Sequence, residues 1–240
     1  MNLAPENRTL KSALSQAEFL TFDCYGTLID WETGILGALR PIVARHGKEI
    51  ADAQLLELYG AFEAQGEQPP YRPYREVLAG VVHSLGQRLG FSSSLDEEAS
   101  LAGSLRNWKP WPDTVTALRR LSKKFKLAVF SNIDDDLFAP TARKLQVRFA
   151  DVITAQQANC YKPCHDLFHL GLKRLGASPK QVLHIAQSVH HDVVPAKSLG
   201  LATVWVNRPS ARAGVGAVKA SKEKADWEVP DLATVAAAMD

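Results

Sequence analysis

Apolar and polar positions alternate along the chain in two different rhythms. Phe19-Leu-Thr-Phe-Asp23 is a short, mostly apolar run that ends in an acid and a turn, Cys24-Tyr-Gly-Thr27. The same pattern recurs at residues 127–131, 182–188 and 202–207, apolar first and polar at the C-terminal end. Runs of this kind predict buried strands that empty into loops. Between them, residues 113–124 and 166–175 carry helical spacing, and 141–145 begins a shorter helix. Strands alternating with helices predict an α/β, Rossmann-like domain with a parallel sheet covered by helices. In such sheets ligands bind beyond the carboxyl ends of the strands. Asp23, Ser131, Asn132, Gln187 and Ser188 all fall at such ends, so they can converge although they are distant in sequence.

The stretch 31–108 has a different texture. Residues 34–46, 52–64, 74–89 and 96–107 all have helical apolar spacing, with no convincing strand between them. Gly66-Glu-Gln-Pro-Pro-Tyr71 separates two of these helices, and Trp108-Lys-Pro-Trp-Pro112 interrupts helix and returns the chain to the sheet. The expected organisation is a core of residues 1–30 and 109–240 with an all-helical cap, 31–108, inserted after the first strand. Residues 210–226, rich in Ala, Gly and Lys, are expected to form a mobile surface loop.

Composition narrows the function classes. The chain of 240 residues is 46% hydrophobic and 22% charged, ordinary values for a globular protein. A net charge of +2 gives no reason to expect a nucleic-acid partner. No apolar run is long enough for a membrane span, and the N-terminus has no apolar signal core. Three cysteines, Cys24, Cys160 and Cys164, are too few for a disulfide framework. These features together lead us to expect a cytoplasmic enzyme.

The strongest chemical signal is Phe22-Asp23-Cys-Tyr-Gly-Thr-Leu28, an acid presented by a tight loop at a strand end. Ser131-Asn132, Lys162-Pro163 and Asp192 follow in order, the last five residues after Gln187. These four motifs resemble those of the haloacid dehalogenase superfamily. Its phosphate-ester hydrolases carry a second Asp two residues after the first, to protonate the leaving alkoxide. Here that position is Tyr25, a poor acid near neutral pH because a phenol's reference pKa is ~10. The Asp-x-Tyr-Gly-Thr form is similar to that of the L-2-haloacid dehalogenase branch, whose halide leaving group needs no proton. Gln187 stands where the phosphatases have a metal-binding acid, and Mg²⁺ prefers carboxylate oxygens. The resemblance therefore implies a cofactor-free enzyme with no metal.

The same resemblance implies roles for individual residues. Asp23 would attack C2 of a small 2-haloacid, displacing halide and forming an ester that water hydrolyses to the 2-hydroxy acid. Lys162 would hold Asp23, and Asp192 would orient Lys162 and help position the water. Thr27, Ser131 and Ser188 would offer hydroxyls, although a helix N-cap is the plainer role for a serine. Asn132 would be the halide contact. Tyr25, Gln187 and His191 would line the substrate pocket, with His191 as a neutral donor. A homodimer is implied by resemblance alone.

The match has gaps. The branch uses an arginine in its second cap helix as a halide clamp, and Leu55-Leu-Glu-Leu-Tyr-Gly-Ala-Phe-Glu63 contains none. Arg72 and Arg75 are the nearest substitutes, but a solvated cation at a helix start is the simpler reading of both. Phe168 stands where the family tends to have a tyrosine, and Gln187-Ser188-Val189 replaces Ser-Ser-Asn. These departures leave room for a Mg²⁺-dependent phosphatase, or for a relative acting on another electrophilic carbon, including a strained-ring amino or carboxylic acid. A non-catalytic binder is disfavoured by the charged trio Asp23, Lys162 and Asp192. His190, His191 and Asp192 with Cys160, Cys164 and His165 fit no standard zinc spacing. Cys24 is read as buried packing, the basic run Arg119–Lys126 as a solvated face, and Trp31 and Trp108 as packing at the two cap hinges, with a wall of the pocket as the alternative for Trp31.

Overall fold

The computed structural model describes residues 9–208 and 222–240. A short helix α1 (Leu10–Gln16) leads into strand β1 (Phe19–Phe22). Four helices follow without an intervening strand: α2 (Trp31–Arg45), α3 (Asp52–Gly66), α4 (Tyr74–Leu89) and α5 (Leu95–Ser104). The chain then alternates through α6 (Thr114–Leu121), β2 (Lys126–Ser131), α7 (Asp135–Leu145) and β3 (Asp151–Thr154). After α8 (Ala155–Ala158) and α9 (His165–Leu175) come β4 (Val182–Ala186), α10 (Val194–Ser198), β5 (Ala202–Val206), β6 (Trp227–Val229) and α11 (Leu232–Ala237).

The six strands form one parallel sheet in the order β3-β2-β1-β4-β5-β6. This is the parallel α/β architecture expected from the sequence. Every residue of β1 and β4 is buried, as a strand covered on both faces requires. The chain leaves β1 toward β2 and β3, then returns to the other side of β1 with β4. A crevice opens at the carboxyl ends of strands where the order reverses in this way. Close packing beneath that crevice depends on Gly171 of α9. A Cβ there would lie 2.2 Å from the Phe130 ring, so only glycine lets helix and strand approach.

The helices start where side chains satisfy their free amides. Asp30 caps α2 through Thr33 N at 3.2 Å, and Ser94 forms a reciprocal capping box with Glu97 at α5. The helices between β1 and α6 run close to their expected spans, each within about three residues at either end. Helix α7 starts six residues before the expected 141, because Pro140 masks its helical spacing in the sequence. Strands β3 and β6 were not anticipated, being only four and three residues long at the two sheet edges. The expected loop at 210–226 lies, through residue 221, outside the described residues. Among the described residues no helix is long and apolar enough to cross a membrane.

Candidate active site

Asp23 follows the end of β1, and its amide still donates to Ile185 O of β4. The loop after it turns sharply at Gly26, whose φ of +95° suits only glycine. Thr27 Oγ1 donates to Asp23 Oδ2 at 2.7 Å and accepts from Gln187 N at 2.8 Å, tying the β1 loop to the β4 loop. Arg208, just after β5, braces the same loop from outside. Its guanidinium donates to Thr27 O and to Asp113.

Lys162 places all three ammonium protons: on Asp23 Oδ1 at 2.8 Å, Asp192 Oδ1 at 2.6 Å and Phe130 O at 2.9 Å. Its side chain is 1% exposed, as is that of Asp192. A buried charge persists only when paired and hydrogen-bonded, and Lys162 is both. Burial opposes its ammonium, but Asp192 and Asp23 outweigh that and hold its pKa above the ordinary lysine value. Burial also pushes Asp23 above the usual carboxylate range; Lys162 pulls it down and Asp192 pushes it up. Burial works on Asp192 too, yet Lys162 and His184 together hold it below the usual range.

His184, fully buried in β4, was missed in the sequence. Its Nε2 contacts Asp192 Oδ1 at 3.0 Å and its Nδ1 pairs with Thr21 Oγ1 at 2.8 Å. The signal available was a polar residue inside the apolar run of β4. Asp192 Oδ2 has no hydrogen-bond partner among the described residues, although it is buried.

Asp23, Tyr25, Ser131, Asn132, Lys162, Gln187, Ser188, His191 and Asp192 all line one cavity of about 50 Å³. Thr27 stands just behind it. Several of these residues have work other than touching a ligand. Asn132 clamps the Lys162 backbone from both sides, accepting from its N–H at 2.7 Å and donating to its C=O at 3.2 Å. Ser188 accepts from His191 N and caps the helical turn that carries Asp192, the plainer role foreseen for a serine. The Tyr25 phenol pairs with Thr141 Oγ1 at 2.9 Å, and its ring packs edge-on against Trp108. Burial raises its pKa well above the ordinary phenol value. It is not an acid at neutral pH.

The other wall comes from the helices after β1. Trp31 lines the cavity, the alternative to the packing role expected of it first, and Glu63, Glu67 and Tyr74 join it. Neither glutamate was foreseen, although Tyr59 and Glu63 share one face of α3 and Glu67, its C-cap residue, follows four residues later. Arg72 donates to Gly66 O, and Arg75 pairs with Asp136 in an exposed position; neither lines the cavity. They are the solvated cations of the simpler reading.

The cysteines need a correction. Cys160 and Cys164 form a disulfide, because a turn closed by Cys164 N to Tyr161 O brings their Cα atoms within 6.5 Å. Reading three cysteines as too few for a framework overlooked this local bond. Cys24 is free and buried, as expected.

Haloacid dehalogenase-type folds include Mg²⁺-dependent members, so the donors merit a test against that ion. They do not fit it. The Lys162 ammonium already takes one oxygen of Asp23 and one of Asp192, and Gln187 offers a neutral amide in place of an acid. Among the described residues no group of three His, Cys, Asp or Glu side chains is placed to hold a metal ion.

Comparison with known proteins agrees with this geometry. The family model for haloacid dehalogenase-like hydrolase matches residues 19–200. An (S)-2-haloacid dehalogenase from Xanthobacter autotrophicus is 28% identical over 200 residues, 81% of this chain and 76% of that protein. A glyceraldehyde 3-phosphate phosphatase from Methanocaldococcus jannaschii is 35% identical over 105 residues, which span 41% of this chain and 44% of that protein. The crystal structure of L-2-haloacid dehalogenase from X. autotrophicus superposes with a TM-score of 0.79 at 20% identity, covering 92% of this chain and 97% of that one.

Proposed function

Because the chain belongs to the haloacid dehalogenase-like hydrolases, we propose that it hydrolyses the carbon–halogen bond of a small 2-haloalkanoic acid without a metal. Asp23 is the covalent nucleophile in this reading. Its carboxylate attacks C2, the carbon–halogen pair leaves as halide, and an aspartyl ester forms. Water adds to the ester carbonyl carbon, the 2-hydroxy acid departs, and Asp23 returns with net release of one proton. The four helices 31–104 act as a cap that keeps water from the cavity.

One observation carries the reading. Lys162 bridges Asp23 and Asp192, while the Tyr25 phenol, two residues after the nucleophile, is engaged with Thr141. Tyr25 is a poor acid for an alkoxide leaving group and Gln187 offers no carboxylate to a metal, which supports halide as the leaving group. Halide departure requires neither an acid nor a metal. The buried, unpartnered Asp192 Oδ2 is a ready acceptor for the hydrolytic water.

Halide release from L-2-chloropropionate, bromoacetate and fluoroacetate, measured in EDTA for wild type and Asp23→Asn, tests the proposal. Release by wild type that vanishes in the variant is expected. Silence on all three, with Mg²⁺-dependent phosphate-ester hydrolysis instead, would overturn it.

A further inference from the structure

The cavity holds an unusual balance of charge. Four carboxyl groups line it, Asp23, Asp192, Glu63 and Glu67, against the single ammonium of Lys162. That ammonium already spends all its protons on Asp23, Asp192 and Phe130 O. Among the described residues no arginine and no second lysine lines the cavity. Neither Glu63 nor Glu67 forms an ion pair with a lysine or arginine among the described residues.

Their settings are built rather than incidental. Glu63 is only 7% exposed. Its Oε1 accepts the Tyr59 hydroxyl at 2.6 Å and the Tyr74 hydroxyl, which fix the carboxyl in place. Its Oε2 has no hydrogen-bond partner among the described residues. Glu67, with a side chain 8% exposed, accepts from Asn132 Nδ2 at 3.1 Å. His191 Nε2 forms a long ion-pair contact with Glu67 Oε2 at 3.9 Å, a charge partner only when the imidazole is protonated. Burial pushes both carboxyls up, and for Glu67 the neighbouring Glu63 adds to the push. Carboxyls raised in this way are relieved either by holding a proton or by receiving a cation, and their shared opening to the cavity gives a cation a place to bind.

We infer that the substrate carries an ammonium group at the end facing α3, received by Glu63 and Glu67, with Trp31 and Tyr74 as aromatic walls. Aromatic faces add attraction for such a group. The inference rests on the displacement reading above and narrows its substrate class to a small amino-substituted haloacid. The halogen-bearing carbon lies toward Asp23, and the ammonium lies toward the helices. The chemistry is unchanged: Asp23 displaces halide, and water hydrolyses the ester to an amino-hydroxy acid, halide and a proton.

Two matched pairs separate charge recognition from catalysis. By calorimetry, 3-aminopropanoate should bind wild type at least tenfold more tightly than propanoate. Glu63→Gln/Glu67→Gln, whose amides can still accept from the phenols and Asn132, should abolish the difference. In halide release corrected for the enzyme-free rate, 3-amino-2-chloropropanoate should exceed 2-chloropropanoate at least tenfold in kcat/KM. Amine binding that depends on the glutamates, with no halide release from either compound, would uphold the cation site and overturn the displacement reading. Equal binding of the two acids, no binding of either, or a preference that survives in the double variant would overturn the cation site itself.

Discussion

The Asp134 carboxylate, on the loop after β2, closes the first turn of a helix in the opposite layer: its Oδ1 accepts Tyr74 N at 2.9 Å. Its Oδ2 accepts Arg75 N at 3.1 Å. The residue preceding α4 is Pro73, which has no side chain able to cap, so the sheet layer supplies what the helix lacks. Tyr74 in turn holds Glu63 against the cavity. Asp134→Ala leaves two helix-start amides unsatisfied, that of Tyr74 buried and that of Arg75 partly so, and should cost about 1–3 kcal/mol. Urea unfolding with an unchanged m-value measures it. KM should rise several-fold with kcat nearly constant. A loss below about 0.5 kcal/mol, the size of an ordinary surface change, would show that the cap carries no stability.

Only ionised Asp23 can attack carbon, so halide release must rise with pH on its acid side. Burial holds the Asp23 carboxyl above the usual range, so that limb lies above about pH 4. Lys162 lowers this pKa and Asp192 raises it. Lys162→Gln should therefore move the acid limb of kcat/KM upward while cutting the rate. Asp192→Asn should move it downward. The pH profiles of the two variants decide the matter, and shifts in the same direction would contradict this account of the charge network.

Much of this arrangement was legible in the sequence, for a physical reason. Buried parallel strands read as unbroken apolar runs, and their ends placed Asp23, Ser131, Asn132, Gln187 and Ser188 in one crevice. Lys162 and Asp192 came from the resemblance, since nothing in their local pattern marks a buried ion pair. What stayed hidden depends on contacts across layers. Glu63 falls in the helical stretch 52–64 and Glu67 in the break after it, and nothing in either pattern marks a carboxyl that the neighbouring layer covers. His184 looked like one imperfect position in a strand. The edge strands β3 and β6 are too short to carry a period, and the Cys160–Cys164 bond depends on a turn closed by one backbone hydrogen bond.

Tyr25 separates halide departure from departure of an alkoxide. Its hydroxyl is committed to Thr141, and burial keeps it protonated far beyond neutral pH. Tyr25→Phe should keep kcat for halide release within about fivefold of wild type, well short of the roughly 10²–10⁴-fold that general acid catalysis supplies. A loss of a hundredfold or more, with a new alkaline limb absent from the variant, would give the phenol a catalytic role and count against halide as the leaving group.

Gly26 sets the direction in which the loop presents Asp23. At φ +95° a Cβ would also stand 3.1 Å from Gln187 Oε1 and 3.1 Å from Trp31 Nε1, two groups that line the cavity. Gly26→Ala therefore combines conformational strain with displacement of the walls around the nucleophile. Gly47 separates the two effects: its φ is +63°, yet a Cβ there meets nothing within 4 Å. Gly47→Ala should lower the unfolding free energy by about 1 kcal/mol and leave turnover unchanged. Gly26→Ala should lower stability by at least as much and cut kcat tenfold or more, because reacting groups misplaced by fractions of an ångström lose their alignment. If the two variants lose stability alike and both keep wild-type kcat, the tight loop serves folding and not the alignment of Asp23.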